Sequence, residues 1–95
     1  MNILKKADSI VYGEQQEKER QYGKATDGML RASKLASIVC AKEITPADIA
    51  KIQICLKLSR ESVAHKEDNL IDLCGYASIL NELEESAELN YELAL

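Results

Sequence analysis

Thr45-Pro46-Ala47-Asp48 decides the fold. It offers a hydroxyl that can cap a helix and a proline suited to the first helical position. The carboxylate at the third position can return the cap and favours the helix dipole. The spacing that follows predicts a helix over residues 46–63. In it Ile49, Ala50, Ile52, Ile54, Cys55, Leu56 and Leu58 cover more than one face, the pattern of a central helix touching several neighbours.

Upstream, a helix is expected to start with Thr26 or Asp27 as N-cap and to run to about residue 41. It would bury Met29, Leu30, Ala32, Leu35, Ala36, Ile38 and Val39. A first helix over residues 2–12 would carry Ile3, Ala7, Ile10 and Val11 on one stripe, with Gly13 as its stop. Residues 14–25 carry six charges and form a solvated helix extension or a loop. Downstream, a polar link through His65, Lys66 and Glu67 leads to a fourth helix from about residue 68 to 85, with Leu70, Leu73, Cys74, Ala77 and Leu80 facing inward.

The expected architecture is therefore an all-α compact bundle of about four helices around the central helix 46–63. Residues 1–85 form a single domain, and residues 86–95 form an acidic helical extension or oligomerisation arm. One Pro and four Gly are too few for the turns of an all-β chain. A chain of 95 residues buries only roughly 60–65% of the surface it exposes unfolded, so association into a homo-oligomer is expected.

Charge is unevenly placed. Residues 1–66 hold all twelve Lys and Arg against eight acids, whereas residues 67–95 hold eight acids and no base. With a net charge of −4 and no basic stripe interleaved with aromatics, binding to a nucleic-acid polymer is disfavoured, while a small anion held by a few basic side chains stays open. No apolar run approaches the ~20 residues that span a bilayer, and no signal peptide is evident, so no membrane partner is expected and the expected compartment is the cytoplasm. Cys40, Cys55 and Cys74 lack metal-site spacing and read as small buried hydrophobes.

Candidate chemistry gathers between Lys57 and Tyr76. Lys57 and Arg60 are three apart on one helix, and Asp68 and Asp72 four apart on the next, so each pair projects to one face. Facing each other, they form an ion-pair network that sets the hairpin angle, a Mg²⁺ site with phosphate-holding bases, or a basic pocket that binds a nucleotide without turnover. Gly75, inside a helix, points to a close approach of backbone or ligand. Tyr76, four residues after Asp72, can bond to it or stack on a base. Tyr22-Gly23, flanked by Arg20 and Lys24, is either a place for a base or ribose or a plain anchored turn. His65 has no catalytic or metal partner at a recognisable spacing, and no catalytic residue is assigned.

The strings Tyr22-Gly23, Thr26-Asp27-Gly28, Glu43-Ile44-Thr45-Pro46-Ala47-Asp48-Ile49-Ala50, Leu56-Lys57-Leu58-Ser59-Arg60 and Asp68 through Ala77 resemble a family of small tailed-phage proteins of unknown function. That family is distantly similar to the MazG-type all-α nucleotide pyrophosphohydrolases, oligomers whose Glu and Asp hold Mg²⁺ against a nucleoside triphosphate. Here Lys57 and Arg60 stand where the first acidic cluster of that type belongs. The resemblance then implies a phage accessory protein in the infected cell's cytoplasm that retains a phosphate-binding pocket at Tyr22, Gly23, Lys24, Lys57, Arg60 and Tyr76. Such a protein would sequester a host defence signal. The alternatives are a Mg²⁺-dependent pyrophosphohydrolase and a non-enzymatic inhibitor of a host protein.

Overall fold

The computed structural model describes residues 2–7 and 24–94, with side chains through residue 87. Ile10, Val11, Gly13 and Tyr22-Gly23 lie outside the described residues. Among the described residues the chain is helical without a strand: α1 at residues 3–7, α2 at Ala25–Cys40, α3 at Pro46–Val63 and α4 at Glu67–Ala94. None of these helices is long and apolar enough to cross a membrane.

α3 begins as the sequence dictates. The Asp48 N–H donates to Thr45 Oγ1 at 3.1 Å and the Thr45 N–H donates to Asp48 Oδ2 at 3.0 Å, so two donors left over at the helix start are satisfied reciprocally. The Thr45 backbone bond, then its hydroxyl, hold the Asp48 carboxyl below the ordinary carboxylate range, and the charges of Lys51 and Lys42 add to this. A depressed carboxyl stabilises the fold at neutral pH and stops doing so as pH falls through its lowered folded-state value. Asp48→Asn is therefore expected to cost stability at pH 7 and little below about pH 3. Urea titrations at the two pH values check this, and an equal loss at both would contradict it.

The N-cap of α2 lies two residues before Thr26, the nearer of the two expected caps. Lys24 is its N-cap and makes no side-chain capping bond; its carbonyl accepts the Gly28 N–H at 3.0 Å, and Asp27 lies in the first turn, where a carboxylate suits the dipole. The helix ends on Ala41 with φ 54° and ψ 38°, a left-handed stop that costs a residue bearing a Cβ about 1 kcal/mol.

The inward face of α2 is not its most apolar one. Ser33 is buried and donates to the Leu30 carbonyl at 2.7 Å. Ser37 Oγ accepts the Ile44 N–H at 2.9 Å and donates toward the Ser33 and Ile44 carbonyls at 2.7 and 3.1 Å. This tie between helix and turn turns residues 33 and 37 inward. By helical spacing, Leu35, Ile38 and Val39 then point away from the body, where they are exposed, as is Leu30. The expectation that these four are buried is thus overturned; Met29, Ala32 and Ala36 are half-buried.

α3 packs most extensively on α4. Ala50, fully covered, leads a face continued by Ile54, Lys57 and Glu61, while Ile52, Cys55, Leu56 and Leu58 are exposed, so α3 is central on one side only. On α4 the covered residues are Asn69, Ile71 and Gly75, and Ala77 of the expected stripe is exposed. The other four residues of that stripe, Leu70, Leu73, Cys74 and Leu80, are half-buried. Cys40 and Cys55 are exposed and Cys74 half-buried, so the reading of three buried thiols fails for the first two.

α4 does not stop at residue 85. Its 28 residues run unbroken to Ala94, about 42 Å at 1.5 Å per residue, nearly the whole 44 Å length of the molecule. At its other end Lys6 of α1 pairs with Glu67 at 2.8 Å, which lowers the Glu67 pKa, while Ala7 of α1 is buried.

Candidate functional site

The expected seam between α3 and α4 exists, in a narrower form. Lys57 Nζ lies 2.8 Å from Asp72 Oδ2, and the lysine side chain retains 16% of its exposure against 45% for the aspartate. This is a charge-assisted bond whose cation is mostly covered and whose anion reaches water. Arg60 and Asp68 do not join it: both are exposed, and neither takes an ion-pair partner among the described residues. Asp68 sits in the first turn of α4, where the helix dipole favours a carboxylate without any cation. The four-charge cluster is thus one pair flanked by two free charges.

Gly75 is buried and Tyr76 half-buried, one turn beyond Asp72. No hydrogen bond joins Tyr76 to Asp72 among the described residues. Lys24 is exposed immediately before α2. The ion pairs Lys57–Asp72 and Lys51–Glu84 show that α3 and α4 run antiparallel, so the end of α3 and the start of α4 share one end of the bundle, and Tyr22-Gly23 lies outside the described residues.

Two residues at this end were not singled out from sequence as site residues. Asn69 is 7% exposed, and it precedes Asp72 by three residues and so shares its face. That spacing was the available signal. Glu61 closes the α3–α4 link: its carboxylate accepts the Lys66 N–H at 2.9 Å and meets His65 Nδ1 at 2.6 Å. No group of three or more His, Cys, Asp or Glu side chains is gathered for a metal among the described residues.

The model of the domain of unknown function DUF6378 matches residues 2–84. The chain belongs to this family. Among curated proteins, the DUF6378 chain is similar to the Gene 55 protein of Mycobacterium phage L5, 32% identical over 87 residues, covering 88% of this chain and 53% of that one. It is also similar to the Gene 55 protein of Mycobacterium phage D29, 27% identical over 85 residues, covering 88% and 54%. The chain spans about half the length of these relatives, and no solved structure matches it. The resemblance to a family of small phage proteins therefore holds. Every residue of the DUF6378 seam, from Lys24 through Lys57 and Arg60 to Tyr76, falls inside the matched span, whereas the last turns of α4 lie beyond it.

Proposed function

We propose that this DUF6378 protein is a phage accessory protein that binds a nucleotide or similar phosphate-bearing small molecule beside the α3–α4 seam and sequesters a host defence signal without turning it over. The observation that carries the reading is the covered Lys57, held by Asp72, with the exposed Arg60 one turn away. A fixed ammonium beside an unpaired guanidinium is a phosphate-binding arrangement, because the guanidinium presents two parallel donors to phosphate oxygens and the ammonium adds a point charge. The exposed Lys24 is a further cation the site could recruit, and the half-buried Tyr76 provides a ring on which a base can rest.

The distant likeness to MazG-type pyrophosphohydrolases would give Asp68 and Asp72 to Mg²⁺. Asp72 is engaged by Lys57 and Asp68 stands apart, which supports binding over turnover. Isothermal titration against nucleoside mono-, di-, tri- and cyclic phosphates, with and without Mg²⁺, tests the proposal. Binding that falls at least about tenfold, or 1.4 kcal/mol, in Lys57→Ala and in Arg60→Ala is expected, with the nucleotide recovered intact by chromatography. No heat at millimolar ligand, affinity untouched in both variants, or nucleotide consumed with Mg²⁺ would overturn it.

A further inference from the structure

The outward face of α2 has an uncommon make-up. Leu35, Ile38 and Val39, spaced i, i+3 and i+4, form one patch and are 65%, 78% and 83% exposed. Exposed Lys34 and Lys42 flank it, and no described residue covers it. The helix cannot turn this patch inward, because the Ser37 hydroxyl fixes the opposite face against Ile44. Three neighbouring aliphatic side chains in water beside basic residues match the chemistry of an acidic, apolar segment.

A segment of that chemistry is present in the chain itself. From residue 80 onward the sequence alternates Leu80, Leu83, Leu89 and Leu93 with Glu82, Glu84, Glu85, Glu88 and Glu92, and holds no base. Its helix outruns the one beneath it. Among the described residues, the ion pair between the two that lies furthest along α4 is Lys51 to Glu84 at 3.8 Å. α3 begins five residues before Lys51, about 7 Å away, whereas α4 continues ten residues past Glu84, about 15 Å. The overhanging turns leave from the end of the bundle where α2 finishes at Cys40.

We propose that a second copy of this chain covers the Leu35–Ile38–Val39 face with the acidic end of its α4. A two-fold axis near that end of the bundle lets each copy donate its α4 end and receive the other's, so one surface pair is used twice and the contact closes on itself. The segregation of all bases into residues 1–66 then provides attraction between copies.

Sedimentation and light scattering of the full chain from 10 to 200 µM test the proposal. The expected wild-type mass is twice the 10.6 kDa chain. Ile38→Glu is expected to give the single-chain mass with an unchanged far-ultraviolet circular dichroism spectrum, since the side chain it replaces is already in water. Lys34→Glu/Lys42→Glu should weaken self-association by about tenfold. Mixing that variant with Glu85→Lys/Glu88→Lys/Glu92→Lys should restore a heterodimer. A monomeric wild type at 200 µM overturns the proposal. So does an Ile38→Glu chain that stays dimeric, or a charge-swapped mixture that associates no better than either variant alone.

Discussion

Ile71→Ala is expected to lower the unfolding free energy by about 2–4 kcal/mol and the melting temperature by roughly 10–20 °C. Among the described residues only Ala7, Ala50 and Ile71 are buried apolar side chains, and Ile71 alone of these is large. Deleting its outer carbons removes transfer free energy and leaves a void between packed helices that can collapse only in part. Against a total stability of about 5–10 kcal/mol for a domain of this size, that is a large fraction. Urea unfolding followed by circular dichroism measures it. A loss under about 1 kcal/mol would mean that the site relaxes to fill the space.

Asp72→Ala is expected to cost about 1–2 kcal/mol, and Lys57→Met less. The asymmetry follows from burial. Removing Asp72 strands a mostly covered ammonium, whereas removing Lys57 leaves a carboxylate that already reaches water. The half-exposed carboxylate also keeps the cost below that of breaking a fully buried pair. The double variant Lys57→Met/Asp72→Leu should recover part of the loss, and the cycle should give a coupling of about 0.5–1.5 kcal/mol. Additive losses, or a Lys57→Met cost exceeding that of Asp72→Ala, would show that the pair does not act as described.

How much of this could be read from sequence depended on which signals were local. Thr45, Pro46 and Asp48 act within one turn of backbone, so the start of α3 was readable to the residue. The end of α3 at residue 63 followed from the polar link after it. The Lys57–Asp72 pair was readable because two i,i+3 and i,i+4 spacings on antiparallel neighbours leave few partners. What failed was the choice of face. Ser37 binds Ile44 across a turn, a bond that hydropathy does not register, and it exposes the leucine, isoleucine and valine that periodicity placed inside. Asn69 and Gly75 are covered although neither is apolar in the usual sense, so a stripe drawn through leucines missed them. Arg60 and Asp68 share faces with their neighbours but sit at helix ends, where water and the dipole satisfy a charge as well as a counterion does.

The short links of residues 41–45 and 64–66 carry a kinetic consequence. From α2 onward each helix packs mainly on its neighbour in sequence, α2 on α3 and α3 on α4, so the loops that close these contacts are short. Chains with such local topology fold in microseconds to milliseconds. A ribosome adds about 5–20 residues per second, so once it is clear of the ribosome the α2–α3 hairpin is expected to form within the time taken to add one residue.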